Sequence, residues 1–122
     1  MEKKKTIFCD IDGTLFEYRK FETYKTSDPV LLSKVDKKLK QWFMEGHMII
    51  LTTARPENLR EHTIMELEKH NLPYHRLIME IERGPRYLIN DMDPAKPGKR
   101  ATEINLERNK GFRNIKWKKI GL

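Results

Sequence analysis

The sequence has one cysteine and no long apolar run, and each of these shortages excludes a class of protein. A single cysteine, Cys9, cannot form an internal disulfide and suits a reducing cytoplasm. No stretch approaches the roughly 18 apolar residues of a membrane-spanning helix. The basic start MEKKK leads into an apolar run that Asp10 interrupts, which argues against a signal peptide. We therefore expect a cytoplasmic protein without a membrane partner.

Acidic residues are fewer than basic ones, 18 against 25, which leaves a net charge of +7. Such a surplus favours anionic ligands such as phosphoesters, nucleic acid or acidic surfaces. Much of it lies near the two ends, in Lys3–Lys5 and from Lys96 to Lys119, where charged side chains are often simply solvated. The charge therefore indicates the sign of a ligand without identifying it.

The 122 residues suffice for a single domain with one core. Apolar segments typical of strands alternate with helical patterns. Strands are predicted at 5–10, 47–53, 75–80 and 86–91, with a short last strand at 102–107, and helices at 29–45 and 55–71. This alternation predicts an α/β fold, a mainly parallel sheet with helices on both faces. The apolar run at 47–53 predicts a strand that is buried on both faces.

Polar residues stand where several predicted strands end. Asp10 and Asp12 end the first strand, Thr53 the second and Asp91 the fourth. In parallel sheets, binding sites form beyond the carboxyl ends of the strands. The sequence therefore predicts that these residues meet at one edge of the sheet.

The pair Asp10 and Asp12, in IFCDIDGTLF, allows two interpretations. Asp-Gly between apolar residues is a hairpin signal, so the pair could form a simple turn. Alternatively, one carboxylate attacks phosphorus to give an aspartyl-phosphate while the other, on the same side of the chain, transfers protons. Gly13 would then let the chain turn and let backbone N–H groups approach a phosphate.

A phosphate and an attacking carboxylate repel each other, so a cation is expected between them. Mg²⁺ prefers carboxylate and water oxygens, which calls for a third carboxylate. Asp91, with Asp93 nearby, can supply it, although Asp91 could also simply begin a loop. Thr53 offers a hydroxyl and an N–H to a phosphoryl group, and it could also cap the next helix.

These motifs resemble those of the haloacid dehalogenase-like (HAD) phosphohydrolase superfamily. DIDGT matches the first motif, Asp-x-Asp-Gly-Thr; MIILTTAR resembles the second, and LINDMDP the fourth. The resemblance covers roughly residues 5–95 and implies a Rossmann-like three-layer sandwich. No stretch is long enough for a full cap domain. A capless single domain, 1–122, is expected, with a short flap at about 15–29.

The resemblance also implies roles for single residues. Asp10 would be the nucleophile and Asp12 the general acid/base, and Mg²⁺ would be held by Asp10, the Asp12 carbonyl and Asp91. The substrate's phosphoryl group would meet Gly13, Thr53, Ala54 and Arg55, with Arg83 or Arg86 in place of the lysine usual in the third motif. Either arginine could instead be an ordinary surface residue. Asn90 stands where an acid is common.

Three functions remain open from the sequence. The first is a Mg²⁺-dependent phosphatase of a small phosphorylated metabolite such as a sugar phosphate; RPENLREHT and RGPRYLINDMDP resemble small HAD proteins of surface-polysaccharide pathways. The second is a nucleic-acid end phosphatase resembling the phosphatase half of polynucleotide kinases, although no aromatic and basic platform is evident. The third is a non-catalytic binding module. A homo-oligomer is open, because Phe112, Ile115 and Trp117 could serve a subunit contact or pack on the sheet.

Overall fold

The computed structural model of the protein describes residues 3–122. Strands and helices alternate as β1 (Thr6–Asp10), α1 (Val35–Met44), β2 (Met48–Thr52), α2 (Arg60–Lys69) and β3 (Arg76–Ile78). Short 3-10 helices lie at Phe21–Thr23, Glu57–Leu59 and Trp117–Ile120. Within residues 3–122, no helix is long and apolar enough to cross a membrane.

The three strands form one open parallel sheet in the order β1-β2-β3. This confirms the predicted α/β class and is consistent with a Rossmann-like fold. The register pairs Asp10 with Thr52, and Thr52 with Ile78, so all three strands end at the same edge. The residues that follow β1 and β2 therefore lie side by side, as the sequence predicts.

The sheet has one buried and one open face. Ile49 and Leu51 are fully buried in the core, whereas Phe8 and Met48 on the opposite face are exposed. The prediction that 47–53 is buried on both faces is therefore wrong. Because side chains alternate along a strand, Asp10 lies on the same face as Phe8, where solvent and ligands have access.

Helix α1 begins at Val35, whereas the sequence predicted a start at Pro29. The residues before Val35 are bound to the flap instead of joining the helix. The N–H of Leu32 donates to the carbonyl of Leu15 at 2.8 Å, which keeps this segment extended. Lys34 then takes a left-handed conformation, φ 64°, and separates the extended segment from the helix. Helix α2 also starts later than predicted, after the 3-10 helix Glu57–Leu59.

Two predicted strands, 86–91 and 102–107, are absent from the part of the chain that the structure describes. Residues 86–91 pair with no strand, and Tyr87 and Ile89 are 90% and 92% exposed. A strand is stable only when a neighbour satisfies its backbone groups, and here β1 is left as an edge strand. The apolar composition of residues 86–91 therefore predicted a buried strand, but in this structure the sheet ends at β1 and these residues are exposed.

The C-terminal tail packs on the domain. The rings of Phe112 and Trp117 lie 5.8 and 4.9 Å from that of Trp42 in α1, centroid to centroid. The N–H of Phe112 donates to the carbonyl of Ser33 at 2.8 Å. Of the two roles open for these tail aromatics, packing within the domain is the one observed.

Gly111 makes this docking possible, and we expect Gly111→Ala to lower the free energy of unfolding by about 3 kcal/mol. A Cβ at this position would lie 2.6 Å from the backbone N and O of Ser33, and φ is +66°. Urea denaturation measures the change. Gly84→Ala is the matched control, because a Cβ there meets nothing within 4 Å. Equal stability of the two variants would contradict this account of the tail.

Candidate functional site

Asp10 is the last residue of β1, and its half-buried carboxylate is only lightly held. Among residues 3–122, one side chain hydrogen-bonds it: the Thr14 hydroxyl donates to Oδ2 at 3.2 Å. Burial raises the pKa of Asp10, the hydrogen bond from Thr14 lowers it, and the charge of Asp12 raises it again. The charge of Arg86 also lowers this pKa, so Arg86 lies within electrostatic reach of Asp10.

Asp12 is held far more firmly than Asp10. Arg55 donates to it twice, from Nε to Oδ2 at 2.9 Å and from Nη2 to Oδ1 at 2.8 Å. The Tyr24 hydroxyl donates to Oδ2 at 3.0 Å. Two-pronged binding of this kind fixes the plane of the carboxylate. The two aspartates therefore have different environments, although they are two residues apart.

Arg55 is the centre of a buried ionic cluster. Its side chain is 0% exposed, and Nη1 donates to Thr63 at 3.0 Å and to Glu66 at 2.8 Å. Four of its five N–H donors are thus used inside the protein. Burial alone would lower the pKa of Arg55, but its bonds to Asp12 and Glu66 raise it. Arg55 was predicted to bind substrate, yet in this structure it holds Asp12.

The same cluster attaches the flap to α2. Glu66 accepts a hydrogen bond from Arg19 of the flap at 2.7 Å, and its Oε2 lies 3.1 Å from His62 Nε2. That nitrogen is also 2.9 Å from the Tyr24 carbonyl oxygen; since both neighbours only accept, Nε2 carries the proton. Burial would raise the pKa of Glu66, but hydrogen bonds from Arg19 and Arg55 hold it below its usual range.

Thr53, Ala54 and Gly13 lie at the predicted edge of the sheet, but most of their donors are occupied. The N–H of Thr53 donates to Ile78, and its buried hydroxyl oxygen accepts the N–H of Arg55 at 3.1 Å. The hydroxyl proton of Thr53 has no acceptor among residues 3–122. The N–H of Gly13 donates to the Phe16 carbonyl at 2.7 Å, so Gly13, with φ +87°, shapes the turn.

Asp91 does not join the aspartate pair in this structure. Its side chain is 79% exposed and lies 3.5 Å from Arg100. Within the described residues, no three His, Cys, Asp or Glu side chains are close enough to hold a metal ion. The predicted set of Asp10, the Asp12 carbonyl and Asp91 is therefore not assembled, and the described arrangement does not fit a magnesium site with a third carboxylate.

The two candidate arginines have different positions. Arg86 acts on Asp10 through its charge, which is what a replacement for the third-motif lysine requires. Arg83 instead lies over the ring of Phe21 in the flap, 3.7 Å from guanidinium carbon to ring centroid. Of the two, Arg86 is thus the one whose charge affects Asp10.

Cys9 precedes Asp10 in the chain but is not suited to chemistry. It is buried, and burial together with the charge of Asp10 raises the pKa of its thiol to about 12. A thiolate is the reactive form of cysteine, so this side chain stays inert near neutral pH. The expectation that Cys9 serves core packing agrees with its place in the main hydrophobic cluster.

Sequence reasoning missed that Tyr24 holds Asp12 and that Thr63 and Glu66 hold Arg55. Tyr24, Thr63 and Glu66 follow no short motif, and they come from the flap and from α2. One signal was present: Thr63 and Glu66 are three residues apart, so they share the side of α2 that carries Leu67 into the core. A polar residue on a buried helical face requires a partner, and a buried glutamate requires a cation.

Comparisons with known proteins add a fold-level likeness. No protein-family model matches the chain, and no curated protein matches it. Two solved structures, both of the Pnkp1/Rnl/Hen1 complex and one described as an RNA repair complex, are 29% identical with TM-scores of 0.56 and 0.55. Both matches cover 62% of this chain but only 27% and 25% of those chains.

A third solved structure, a structural-genomics target from Vibrio cholerae, is 21% identical with a TM-score of 0.50. That match covers 75% of this chain and 85% of the other. At this identity the likeness concerns the fold alone. The first two matches connect the fold with an RNA repair complex, and they span about a quarter of the chains concerned.

The buried cluster yields a stability prediction. We expect Glu66→Gln to lower the free energy of unfolding by about 3 kcal/mol, because it leaves the charges of Arg55 and Arg19 without their shared partner. The pKa of Glu66 is lowered by folding, so its contribution is present above its ordinary value of 4.5 and is lost as pH falls below it. The difference between the variant and the unchanged protein should therefore shrink in acid.

Glu57→Gln is the control for this measurement. Glu57 pairs with Arg60 at 2.7 Å, but that pair is exposed and screened by solvent. We expect little change in its denaturation midpoint. If the two glutamate variants lose the same stability, the buried cluster does not have the role given to it here.

Proposed function

We propose that this protein is a HAD-like hydrolase that cleaves a phosphate monoester through an aspartyl-phosphate on Asp10. The observation that carries the proposal is the unequal environment of the two aspartates. Asp10 lies on the open face with one side-chain hydrogen bond, whereas Asp12 is held by Arg55 and Tyr24. A nucleophile must be accessible, and a proton-transferring partner must be fixed in place. If the two aspartates only formed a turn, neither the accessibility of Asp10 nor the fixation of Asp12 would be needed.

In the first step, an oxygen of Asp10 bonds to phosphorus while the bond from phosphorus to the leaving oxygen breaks. The leaving oxygen takes a proton from the carboxyl group of Asp12, and the phosphoryl group remains on Asp10. Arg86 is the cation within electrostatic reach of Asp10, and the Thr53 hydroxyl is a neutral donor at the same edge. Both groups suit the negative charge of the phosphoryl oxygens.

In the second step, water attacks phosphorus, the bond to Asp10 breaks, and inorganic phosphate leaves. The water loses its proton to Asp12, which the first step has left as a carboxylate. Oδ2 already accepts from both Arg55 and Tyr24, while Oδ1 accepts only from Arg55. The proton therefore goes to Oδ1.

The leaving group has two candidates. A small phosphorylated metabolite, such as the sugar phosphate of a surface-polysaccharide pathway, is the expectation from sequence resemblance. The end of a nucleic-acid strand is the second, and the likeness to structures of an RNA repair complex supports considering it. Phosphate release from sugar phosphates, nucleotides and phosphorylated oligonucleotides, measured side by side, compares them directly.

Asp10→Asn should lower kcat for phosphate release at least ~1000-fold, because an amide cannot attack phosphorus. It should also raise the free energy of unfolding at pH 7. Folding raises the pKa of Asp10, so the native state loses stability as pH rises through that pKa, and the variant avoids this loss. The gain should disappear in acid, where the carboxyl is protonated.

The release of p-nitrophenol from p-nitrophenyl phosphate, together with urea denaturation at pH 3 and pH 7, measures both effects. Asp36→Asn is the control, because Asp36 lies in the first turn of α1 and takes no part in the side-chain hydrogen bonds of Asp10 or Asp12. Turnover by Asp10→Asn equal to that of the control would exclude the aspartyl-phosphate. Absence of turnover in the unchanged protein would favour the non-catalytic binding module.

The need for Mg²⁺ is a separate proposal that stands on the chemistry of the reaction. We expect EDTA to stop phosphate release and added Mg²⁺ to restore it. Asp91 can serve the metal only if residues 86–91 move towards the open edge of β1. Asp91→Asn should then raise the Mg²⁺ concentration for half-maximal activity about 10-fold, as measured by titration.

Asp28→Asn is the matched control for Asp91, since Asp28 is also exposed and pairs only loosely, at 3.7 Å, with Lys69. Activity that survives EDTA would exclude the metal. Identical Mg²⁺ curves for the two aspartate variants would exclude Asp91 as a ligand and leave the metal requirement itself intact.

A further inference from the structure

Three of the aromatic rings of the flap (residues 15–29) each have an arginine over their face. Arg108 lies over Tyr18 at 4.1 Å and Arg83 over Phe21 at 3.7 Å, from guanidinium carbon to ring centroid. Arg55 lies over Tyr24 at 4.2 Å. Three segments distant in sequence thus each place a guanidinium on the same flap. Such stacking attracts the cation electrostatically and orients its plane.

The three arginines differ in what their N–H groups do. Arg55 uses its donors on Asp12, Thr63 and Glu66. By contrast, within residues 3–122 neither Arg83 nor Arg108 donates a hydrogen bond or forms an ion pair. Stacking engages only the face of a guanidinium, so its in-plane donors stay free for a planar or tetrahedral anion.

The position of Arg108 connects it with the reacting centre. A Cβ built on Gly13, the residue after Asp12, would lie 3.2 Å from Arg108 Cγ and 3.8 Å from its Nε. The neighbouring Asn109 fixes this arrangement. Its N–H donates to the Gly13 carbonyl at 2.9 Å, and its Oδ1 accepts the N–H of Tyr18 at 2.7 Å. Arg108 is therefore held beside the turn that carries the aspartates.

Two aromatic rings, those of Tyr24 and Phe21, connect Asp12 with Arg83. Tyr24 donates to Asp12, and the Phe21 ring lies 5.6 Å from that of Tyr24, centroid to centroid. The segment that leads to Arg83 is also anchored to the site, because the N–H of Ile81 donates to the Thr53 carbonyl at 3.1 Å. Both free guanidinium groups are thus positioned before any ligand arrives.

We propose that Arg83 and Arg108 bind phosphodiester groups adjoining the phosphate that Asp10 attacks, so that the substrate is the end of a nucleic-acid strand. This inference rests on the proposed function. The charge of Arg86 already acts on Asp10, and a sugar phosphate has no second anion for two further arginines. A strand end supplies one phosphate per nucleotide, and its bases have faces that aromatic rings can contact. The aromatic and basic platform that was not evident from the sequence is formed by rings of the flap, by Arg83 in the segment after β3 and by Arg108 near the C-terminus.

The test compares a phosphorylated ten-nucleotide strand with p-nitrophenyl phosphate, which carries no second anion. In the double variant Arg83→Ala and Arg108→Ala, kcat/KM for the oligonucleotide should fall at least ~10 times more than kcat/KM for the small ester. The slope of log affinity against log salt should become shallower by about 1.4, or about 0.7 for each lost contact with a single strand. Arg113→Ala, which removes an exposed arginine, is the control.

Lysine variants distinguish loss of the guanidinium group from misfolding of the protein. Arg83→Lys and Arg108→Lys keep the charge and the long stem but lose the planar fork, so binding should recover only in part. Circular dichroism and thermal unfolding confirm that each variant is folded. Recovery by lysine to the full value would show that charge alone is used, and equal losses for both substrates would overturn the proposal.

Binding separates this inference from the proposed function. Fluorescence anisotropy with a labelled phosphorylated oligonucleotide needs no turnover and can use the Asp10→Asn protein. Turnover of the small ester without selective loss for the oligonucleotide would overturn the arginine platform alone. Loss of oligonucleotide binding in the double variant, in a protein that hydrolyses neither substrate, would support the platform and reject the hydrolase.

Discussion

The buried guanidinium of Arg55 is the constraint on which the rest of the site depends. A buried charge is costly unless every part of it is compensated, and here two carboxylates and a hydroxyl from two other parts of the chain do so. Meeting that need brings together the turn after β1, the start of the segment after β2, and α2. The flap is held by the same cluster. Its Arg19 binds Glu66 and its Tyr24 binds Asp12, and both carboxylates also bind Arg55.

This compensation explains why two aspartates of the same motif differ. Asp12 neutralises Arg55 and is fixed by it, so its charge belongs to the folded structure. Asp10 receives no comparable partner, and burial beside the charge of Asp12 raises its pKa. A carboxylate that is charged against the preference of its surroundings is more reactive towards phosphorus than one already paired. The arrangement therefore leaves the carboxylate of Asp10 on the open face of the sheet and fixes that of Asp12.

Sequence patterns predicted the parts of this arrangement that depend on local structure. The strand before Asp10, the strand before Thr53 and their common edge follow from alternation and from parallel connections. Glu66 could not be assigned, because its partner lies eleven positions earlier, in another element. Residues 86–91 have the composition of a strand, but a strand also needs a neighbour, which composition does not supply. The same limit applies to Asp91, whose predicted role depended on that strand.

The arginines of this site show that the use of a side chain depends on how many of its donors the fold has left free. Arg55 and Arg83 both lie on flap aromatics, yet one is buried with its donors satisfied and the other is exposed with its donors available. Sequence gives both the same charge. A ligand anion can be attracted by either, but only a guanidinium with free in-plane N–H groups can bind it directly. It follows that the rings of the flap have two tasks: Tyr24 completes the buried cluster, while Phe21 and Tyr18 hold arginines for what binds from outside.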